Sequence, residues 1–346
     1  MAKHFKETSA SVETVAERPH KGKEFEPVPN KKPKRKHDVL STILILAGIV
    51  LLAAAAVMFL NNKRNYDNID EINDEVAEYA KLTDDAETPP AVDWAGLREM
   101  NPDIVGWLQI PNTVVNYPVY QSGDNDFYLH HAPDRSYSIG GAVFLDAECT
   151  KPGMEDPQTI VYGHHMRNGS QFKQVADMDK QEMFDGVNLV WYCVEKDGQQ
   201  VNYDLAPVFL YYTNEGDTDV RQFTFENDAK YREYLKMYFD KAVTKRPDAE
   251  EILKQVEHIF TLSTCNYIDG QGRTLLVCVP RAEIPGTPQY DAAAPIREQK
   301  RREAEEAARK AAEEEKKRAE EEKKRAEEEA AQPQEEVVIE EEVIEE

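Results

Sequence analysis

Apolar positions are spaced along this chain in three different ways. Residues 39–60, VLSTILILAGIVLLAAAAVMFL, form one apolar run without a charge. As a helix rising about 1.5 Å per residue the run reaches about 33 Å, enough to cross about 30 Å of hydrocarbon. Ser41 and Thr42 can hydrogen-bond within such a helix. A cleaved signal peptide fits less well, because the run starts late, is long and lacks a small-x-small site before Asn61. Residues 93–296 carry short runs instead, at 114–120, 141–145, 159–162, 187–194, 201–212, 258–264 and 274–279. Val, Ile, Tyr and Phe dominate these runs, and turn residues part them, as at Lys196-Asp197-Gly198 and Asp269-Gly270. Many short strands with few helices predict a mainly β domain, closed or partly closed into a barrel. One helix is expected over 228–243, with Tyr231, Leu235, Tyr238 and Phe239 near one face.

The third spacing starts at Arg297. EEEKKRA occurs at 313–319 and again at 320–326. Glu precedes Lys or Arg by three or four positions throughout, which supports a helix through side-chain ion pairs. Ala is the sole apolar residue of that heptad, whereas a coiled coil needs larger seam residues, so a single charged helix is expected. Over 297–331 it would extend about 52 Å. The remaining segments are polar. Residues 1–38 have no apolar periodicity and read as disordered. Residues 61–92 are acidic, end in Thr88-Pro89-Pro90 and read as a partly helical stalk. The acidic end past Pro333 reads as disordered. The expected organisation is thus a cytoplasmic segment (1–38), a transmembrane helix (39–60), a stalk (61–92), a folded domain (93–296) and a charged tail (297–346).

Charge orients this plan. The chain of 346 residues has a formal net charge of -24, with basic residues gathered at 21–36 and Glu dense at the end. That balance argues against nucleic-acid binding, which needs a basic face. Lys31, Lys32, Lys34, Arg35 and Lys36 precede the span, and Lys63 and Arg64 follow it. The positive-inside rule then places the N-terminus in the cytoplasm and the folded domain outside the cell membrane. The same basic cluster would meet anionic membrane lipid.

There are four cysteines, Cys149, Cys193, Cys265 and Cys278. None forms a CxxC pair, so no zinc or other metal site is expected. Their scatter is unlike a disulfide framework, and three of them read as small buried apolar residues. A Cys149–Cys193 or a Cys265–Cys278 bridge stays open, and the second would disable the chemistry that follows.

An apolar run, HIFTL, leads straight into Thr264-Cys265, which puts this thiol at a strand end. The turn-rich stretch NYIDGQG follows, and Arg273 opens the next run, TLLVCV. An antiparallel pair joined this way can set Arg273 beside Cys265, where a cation favours thiolate and can hold an oxyanion. Far upstream, Ile160-Val161-Tyr162-Gly163-His164-His165 ends a strand in Gly-His and projects an imidazole into a loop. A Cys and a His that meet only in space are what nucleophilic acyl transfer requires. Taken singly, each piece has a plain structural reading: a buried Cys, a surface His pair, a solvated Arg.

Together and in this order, TLSTC followed by Arg273 resembles the TLxTC...R signature of sortases, and YGHH matches the segment with the family histidine. The resemblance covers roughly 93–281. Further stretches resemble class B: NPDIVGWL at 101–108, IPNT at 110–113, YPVYQ at 117–121, DNDFYL at 124–129 and GAVFLD at 141–146. The helix before TLSTC is also placed as in class B.

The resemblance implies an eight-stranded sortase-type β-barrel with a few helices. It implies that Cys265 attacks a backbone carbonyl in a sorting motif near the C-terminus of a secreted protein. His164, rather than His165, is the acid and base, and Arg273 orients the peptide and stabilises the oxyanion. An amine, from a peptidoglycan precursor or a pilin lysine, resolves the acyl-enzyme, and no cofactor is needed. Asn125, Leu129, Tyr162 and Ser263 match positions lining the class B groove. Asn266 stands where some members carry Glu. The motif would be of the NPxTx or xPxTG kind, and the charged tail departs from the family pattern. Alternatives from other classes are a hydrolytic cysteine peptidase, a pilin-polymerising enzyme and a membrane-tethered scaffold acting through its tail.

Overall fold

Alternating apolar residues need a surface to face, and here the sheet supplies it by curling onto itself. In the computed structural model, residues 39–214, 216–266 and 272–330 are described. The segments expected to be disordered, 1–38 and past Pro333, and the turn at Asp269-Gly270 lie outside them. The chain divides into two units, 1–58 and 59–346. The described part of the first is helical and apolar. It belongs to α1 (Val39–Ala77), which among the described residues is the one helix long and apolar enough to cross a membrane.

The second unit continues with a two-residue pair, β1 (Ala80–Lys81) and β2 (Ala91–Val92), then α2 (Trp94–Met100). The barrel strands are β3 (Ile104–Gln109), β4 (Asn116–Tyr120), β5 (Phe144–Leu145), β6 (Gln158–Tyr162), β7 (Val190–Lys196) and β8 (Gln199–Asn214). Short helices α3 (Lys173–Asp177) and α4 (Gln181–Asp185) sit between β6 and β7. After β8 come α5 (Asp228–Phe239), β9 (Ala242–Lys245), α6 (Ala249–Leu253), β10 (Ile259–Asn266) and β11 (Gly272–Pro280). Helices α7 (Pro288–Ala292) and α8 (Ala294–Ala330) end the described chain.

The strand order is β11-β10-β6-β5-β4-β3-β7-β8-β9, and β11 also pairs with β8. That extra pairing closes eight strands into a barrel and leaves β9 outside, on the edge of β8. Closure matters because an open edge would leave a row of unpaired backbone groups. The expected eight-stranded barrel is therefore present. The turn read at Asp197-Gly198 is a two-residue hairpin: Lys196 pairs with Gln199, and both turn residues have positive φ, 52° and 74°.

Strand β8 shows how one sequence serves two layers. Leu205 and Leu210 face the barrel interior with Phe260, Leu262, Leu276 and Cys278. Ala206, Val208, Phe209 and Tyr211 face outward, under α5 and with Leu275, Val277 and Val279 of β11. Val208 and Phe209 share a face because the register with β11 shifts at Val277/Cys278. The Asn227 side chain caps α5 by accepting from the Lys230 amide, and Tyr231, Tyr234, Leu235 and Tyr238 form its buried face. The helix is shorter than the sequence pattern predicts. It stops at Phe239, and Ala242–Lys245 pairs as β9 with Phe209–Tyr211 instead. The β-branched pair Val243-Thr244 fits that strand better than another helical turn.

All three tryptophans, Trp94, Trp107 and Trp191, gather in a separate outer cluster with Leu97, Leu189 and Cys193. Val76 and Ala80, with Ile72 and Tyr79 at the margin, come to it from the stretch read as a stalk. Burying one aliphatic side chain such as Val76 is worth about 1.5–3 kcal/mol. Residues 69–80 are therefore packed onto the barrel.

Candidate active site

Strand alternation sets the first half of the site. Along β10, Phe260 and Leu262 point into the barrel, so Cys265, three positions beyond Leu262, falls on the opposite, outer face. In the antiparallel pair of β10 and β11, Cys265 is the direct partner of Arg273, and directly opposed residues share a face. The guanidinium Nη1 lies 3.2 Å from Sγ and donates to it. All four cysteines are free thiols, which closes both disulfide alternatives, and Cys265 alone is partly exposed. Burial pushes the Cys149 and Cys193 thiols up to about 12 and Cys278 upward as well. Those three stay protonated and inert. Cys265 combines access with a cationic donor, the environment that makes a thiol nucleophilic.

The second half hangs on a loop. Strand β6 runs parallel to β10, with Tyr162 opposite Ser263. The Gly163 amide continues the ladder by donating to the Ser263 carbonyl at 3.1 Å. The chain therefore leaves β6 beside the Cys265 end of β10. Gly163 allows this because Phe172 crosses it: a Cβ there would lie 2.7 Å from the ring. Two histidines follow. His165 Nδ1 is 2.9 Å from the Cys265 carbonyl oxygen, and His164 Nε2 is 3.0 Å from the Leu129 carbonyl oxygen. A carbonyl only accepts, so both ring nitrogens carry the proton. Burial lowers the His164 pKa. The Leu129 bond opposes the shift, and the charges of His130 and Arg273 reinforce it.

Gln171, which the sequence did not single out, holds that loop shut. Its side chain accepts from the His164 amide at 2.8 Å and donates to the Gly140 carbonyl at 2.7 Å. Its own amide donates to the Tyr117 hydroxyl at 2.9 Å. It is buried and sits at φ 51°, left-handed backbone that a non-glycine residue keeps only where its surroundings compel it.

The four residues expected to line a groove make contacts of different kinds, not all through their side chains. Leu129 contributes its carbonyl to His164, and its side chain packs with Tyr162 against Tyr120, Tyr128 and Phe144. Ser263 is buried and serves the ladder through its backbone. Asn125 and Tyr162 converge on Asp146, a residue the sequence reading quoted without assigning it a role. The Asp146 carboxylate, 0% exposed, accepts from Tyr162 Oη at 2.7 Å and from Asn125 Nδ2 at 3.1 Å. It also accepts from Arg221 Nε and Nη2 at 2.7 and 2.9 Å and from the Glu148 amide at 2.9 Å. Burial alone would raise its pKa, but Arg221, the Glu148 amide and Tyr162 outweigh it and hold the carboxyl below its usual range. The Asn125 side-chain oxygen, Oδ1, accepts from the Ala147 amide at 2.8 Å. A pattern hint existed: Asp146 follows a short strand directly, where a polar residue needs partners.

Among the described residues, one cluster has the donors to take a metal: Glu257, His258 and Glu283. It sits at the opposite end of β10. His258 Nδ1 is 2.8 Å from Glu283 Oε1, and Glu283 Oε2 accepts from the Glu257 and His258 amides at 2.6 and 3.0 Å. Glu283 thus acts as a cap for that chain segment.

A closed barrel with an exposed cysteine, an arginine on its sulfur and a histidine loop beside it defines a cysteine acyl-transfer enzyme. The sortase domain model matches residues 108–281. Sortase B of Staphylococcus aureus is 32% identical over 169 residues, 49% of this chain and 66% of that protein. Sortase B of Listeria monocytogenes is 29% identical over 231 residues, 65% of this chain and 89% of that one. A crystal structure of sortase B from B. anthracis superposes with a TM-score of 0.51 at 25% identity, covering 63% of this chain and 99% of the other. The chain belongs to the sortase family of cysteine transpeptidases, and within it resembles class B.

Proposed function

We propose that this enzyme cleaves a sorting motif near the C-terminus of secreted proteins and joins the new acyl end to a cell-wall amine, with Cys265, His164 and Arg273 as its reacting groups. The observation that carries this is the 3.2 Å contact of Arg273 with the one partly exposed thiol, at the end of a strand beside the histidine loop. Cys265 thiolate adds to the motif's backbone carbonyl. Arg273 donates to the developing oxyanion, the kind of stabilisation worth about 10²–10³ in rate. His164, as the imidazolium holding the proton given up by the Cys265 thiol, protonates the departing amine, and a thioester remains. The incoming amine then loses its proton to His164 and displaces Cys265. Asn125 and Tyr162, braced by Asp146, form one wall of the peptide groove together with Leu129, and Ser263 lies opposite Tyr162 in the sheet.

The span at 39–60 fits a single-pass anchor, with the N-terminus in the cytoplasm and the enzyme on the outer surface of the cell membrane. The test is to incubate the full chain, in detergent micelles, with quenched peptides of the NPxTx and xPxTG kinds, with and without an amine acceptor. Thiol-dependent formation of an acceptor-linked product is expected. Cleavage that yields only hydrolysed peptide at every acceptor concentration would overturn transfer in favour of a peptidase.

A further inference from the structure

The loop carrying His164 is gripped from outside as well as by Gln171. Residues 69 and 70 of α1 reach it with two neighbouring side chains of opposite character. Ile69 is buried to 3% exposure. A Cβ added at Gly140 would lie 2.8 Å from Ile69 Cδ1 and 2.9 Å from Met166 Cε, so these two side-chain tips meet over the Gly140 backbone. Next to it, the Asp70 carboxylate accepts from Asn168 Nδ2 with both oxygens, at 3.0 and 3.1 Å. Burial raises the Asp70 pKa against the opposing Asn168 bond, which marks a carboxylate partly withdrawn from water. Met166 and Asn168 stand two and four residues beyond His164. The path back to the imidazole is short, since the Gly140 carbonyl also receives Gln171 Nε2, whose amide oxygen holds the His164 amide.

We infer that Ile69 and Asp70 are positioning residues for His164. They clamp the 164–171 loop so that the imidazole keeps its place at the Leu129 carbonyl. The inference rests on the proposed role of His164. Its physical basis is that surface loops open at low free-energy cost unless tied down, and that displacing a catalytic group by about 1 Å can cost about 10²-fold in rate. Arg273 and Cys265 need no such clamp, because strand register holds them.

The test uses the full chain in detergent micelles, with two readouts on Ile69→Ala, Asp70→Ala, Asn168→Ala, the Asp70→Ala/Asn168→Ala double variant and Asp70→Asn. Backbone hydrogen exchange should quicken across 164–171 in the alanine variants and stay unchanged in β10 and β11. Turnover of a cleaved peptide should fall about fivefold in kcat with KM unchanged. The double variant should be no worse than either single one, and Asp70→Asn, which keeps an acceptor oxygen, should recover most of the rate. Unchanged exchange across 164–171 overturns the clamp, and so do additive losses in the double variant. Faster exchange with an unchanged kcat supports the clamp while counting against His164 as the reacting imidazole, so the two readings fail separately.

Discussion

The two halves of the site are built by different means. Cys265 and Arg273 face each other across one antiparallel pair, and their contact follows from register and strand alternation. His164 lies in a loop whose shape depends on Gln171, Leu129, Gly140 and Tyr117, contributed by separate segments of the chain. Side-chain hydrogen bonds over such spans can be lost one at a time, whereas register is lost only with the sheet. Cys265 and its cation are therefore the robust half, and the His164 imidazole is the adjustable one.

That contrast can be broken at several depths. Cys265→Ala should abolish turnover, by about 10³-fold or more, while circular dichroism and the melting temperature stay near those of the parent. Residual turnover in a folded variant would remove Cys265 as the nucleophile. Arg273→Ala should cost about 10²–10³-fold in kcat. Arg273→Lys, which keeps the charge but not the planar fork, should recover only part of it.

In the loop half, His164→Ala should lower kcat by about 10²-fold or more, and His165→Ala by much less, since the His165 ring donates to the Cys265 backbone carbonyl. A reversed order would exchange their roles. The His164 pKa is depressed from its ordinary 6.5. The unfolded chain therefore takes up this proton first as pH falls, and stability contributed by the neutral ring is present above 6.5 and lost below it. Melting temperatures of His164→Gln should lack that loss as pH falls below 6.5.

Asp146 tests the groove wall. Asp146→Asn leaves Arg221 facing a neutral amide, and truncating one side of a buried pair typically costs about 3–5 kcal/mol. The milder swap to Asn should lower the melting temperature by several degrees and raise KM more than it lowers kcat. The folded Asp146 pKa lies below its ordinary 3.8, so its stabilisation is present above 3.8 and lost as pH falls through the folded value. The variant should lack that acid limb. The smallest effect is expected from deleting 297–346. Helix α8 meets the unit near β10's far end, with Lys300 on Glu257 at 3.0 Å and Arg297 Nη1 on the Tyr290 carbonyl at 2.6 Å. Peptide cleavage should be unchanged, and a large drop would place the tail at the site.

Much of this was legible in advance because the signals are local. The strand runs, the Asp197-Gly198 hairpin and the Cys265–Arg273 juxtaposition each depend on residues within one or two turns of chain. The helix read over 228–243 overran to Val243, because periodicity could not show that β8 had a free edge for Ala242–Lys245. The role of Asp146 is not legible locally, because its partner Arg221 lies 75 residues away. Residues 61–92 read as a stalk because acidic composition hides Ile69, Ile72 and Val76, whose apolar tips matter only once a barrel exists to receive them.

The sequence by itself determined the apolar run long enough to span a membrane, the alternating strands, and a cysteine with its arginine one hairpin apart. Local spacing and backbone geometry suffice for each of these. Only the tertiary structure decided that β8 and β11 close the barrel, that Leu129 and Gln171 set the histidine loop, and that Ile69 and Asp70 reach it. Those contacts join residues tens of positions apart, and which of many such pairs forms is settled by the shared burial of the whole fold rather than by any stretch of chain.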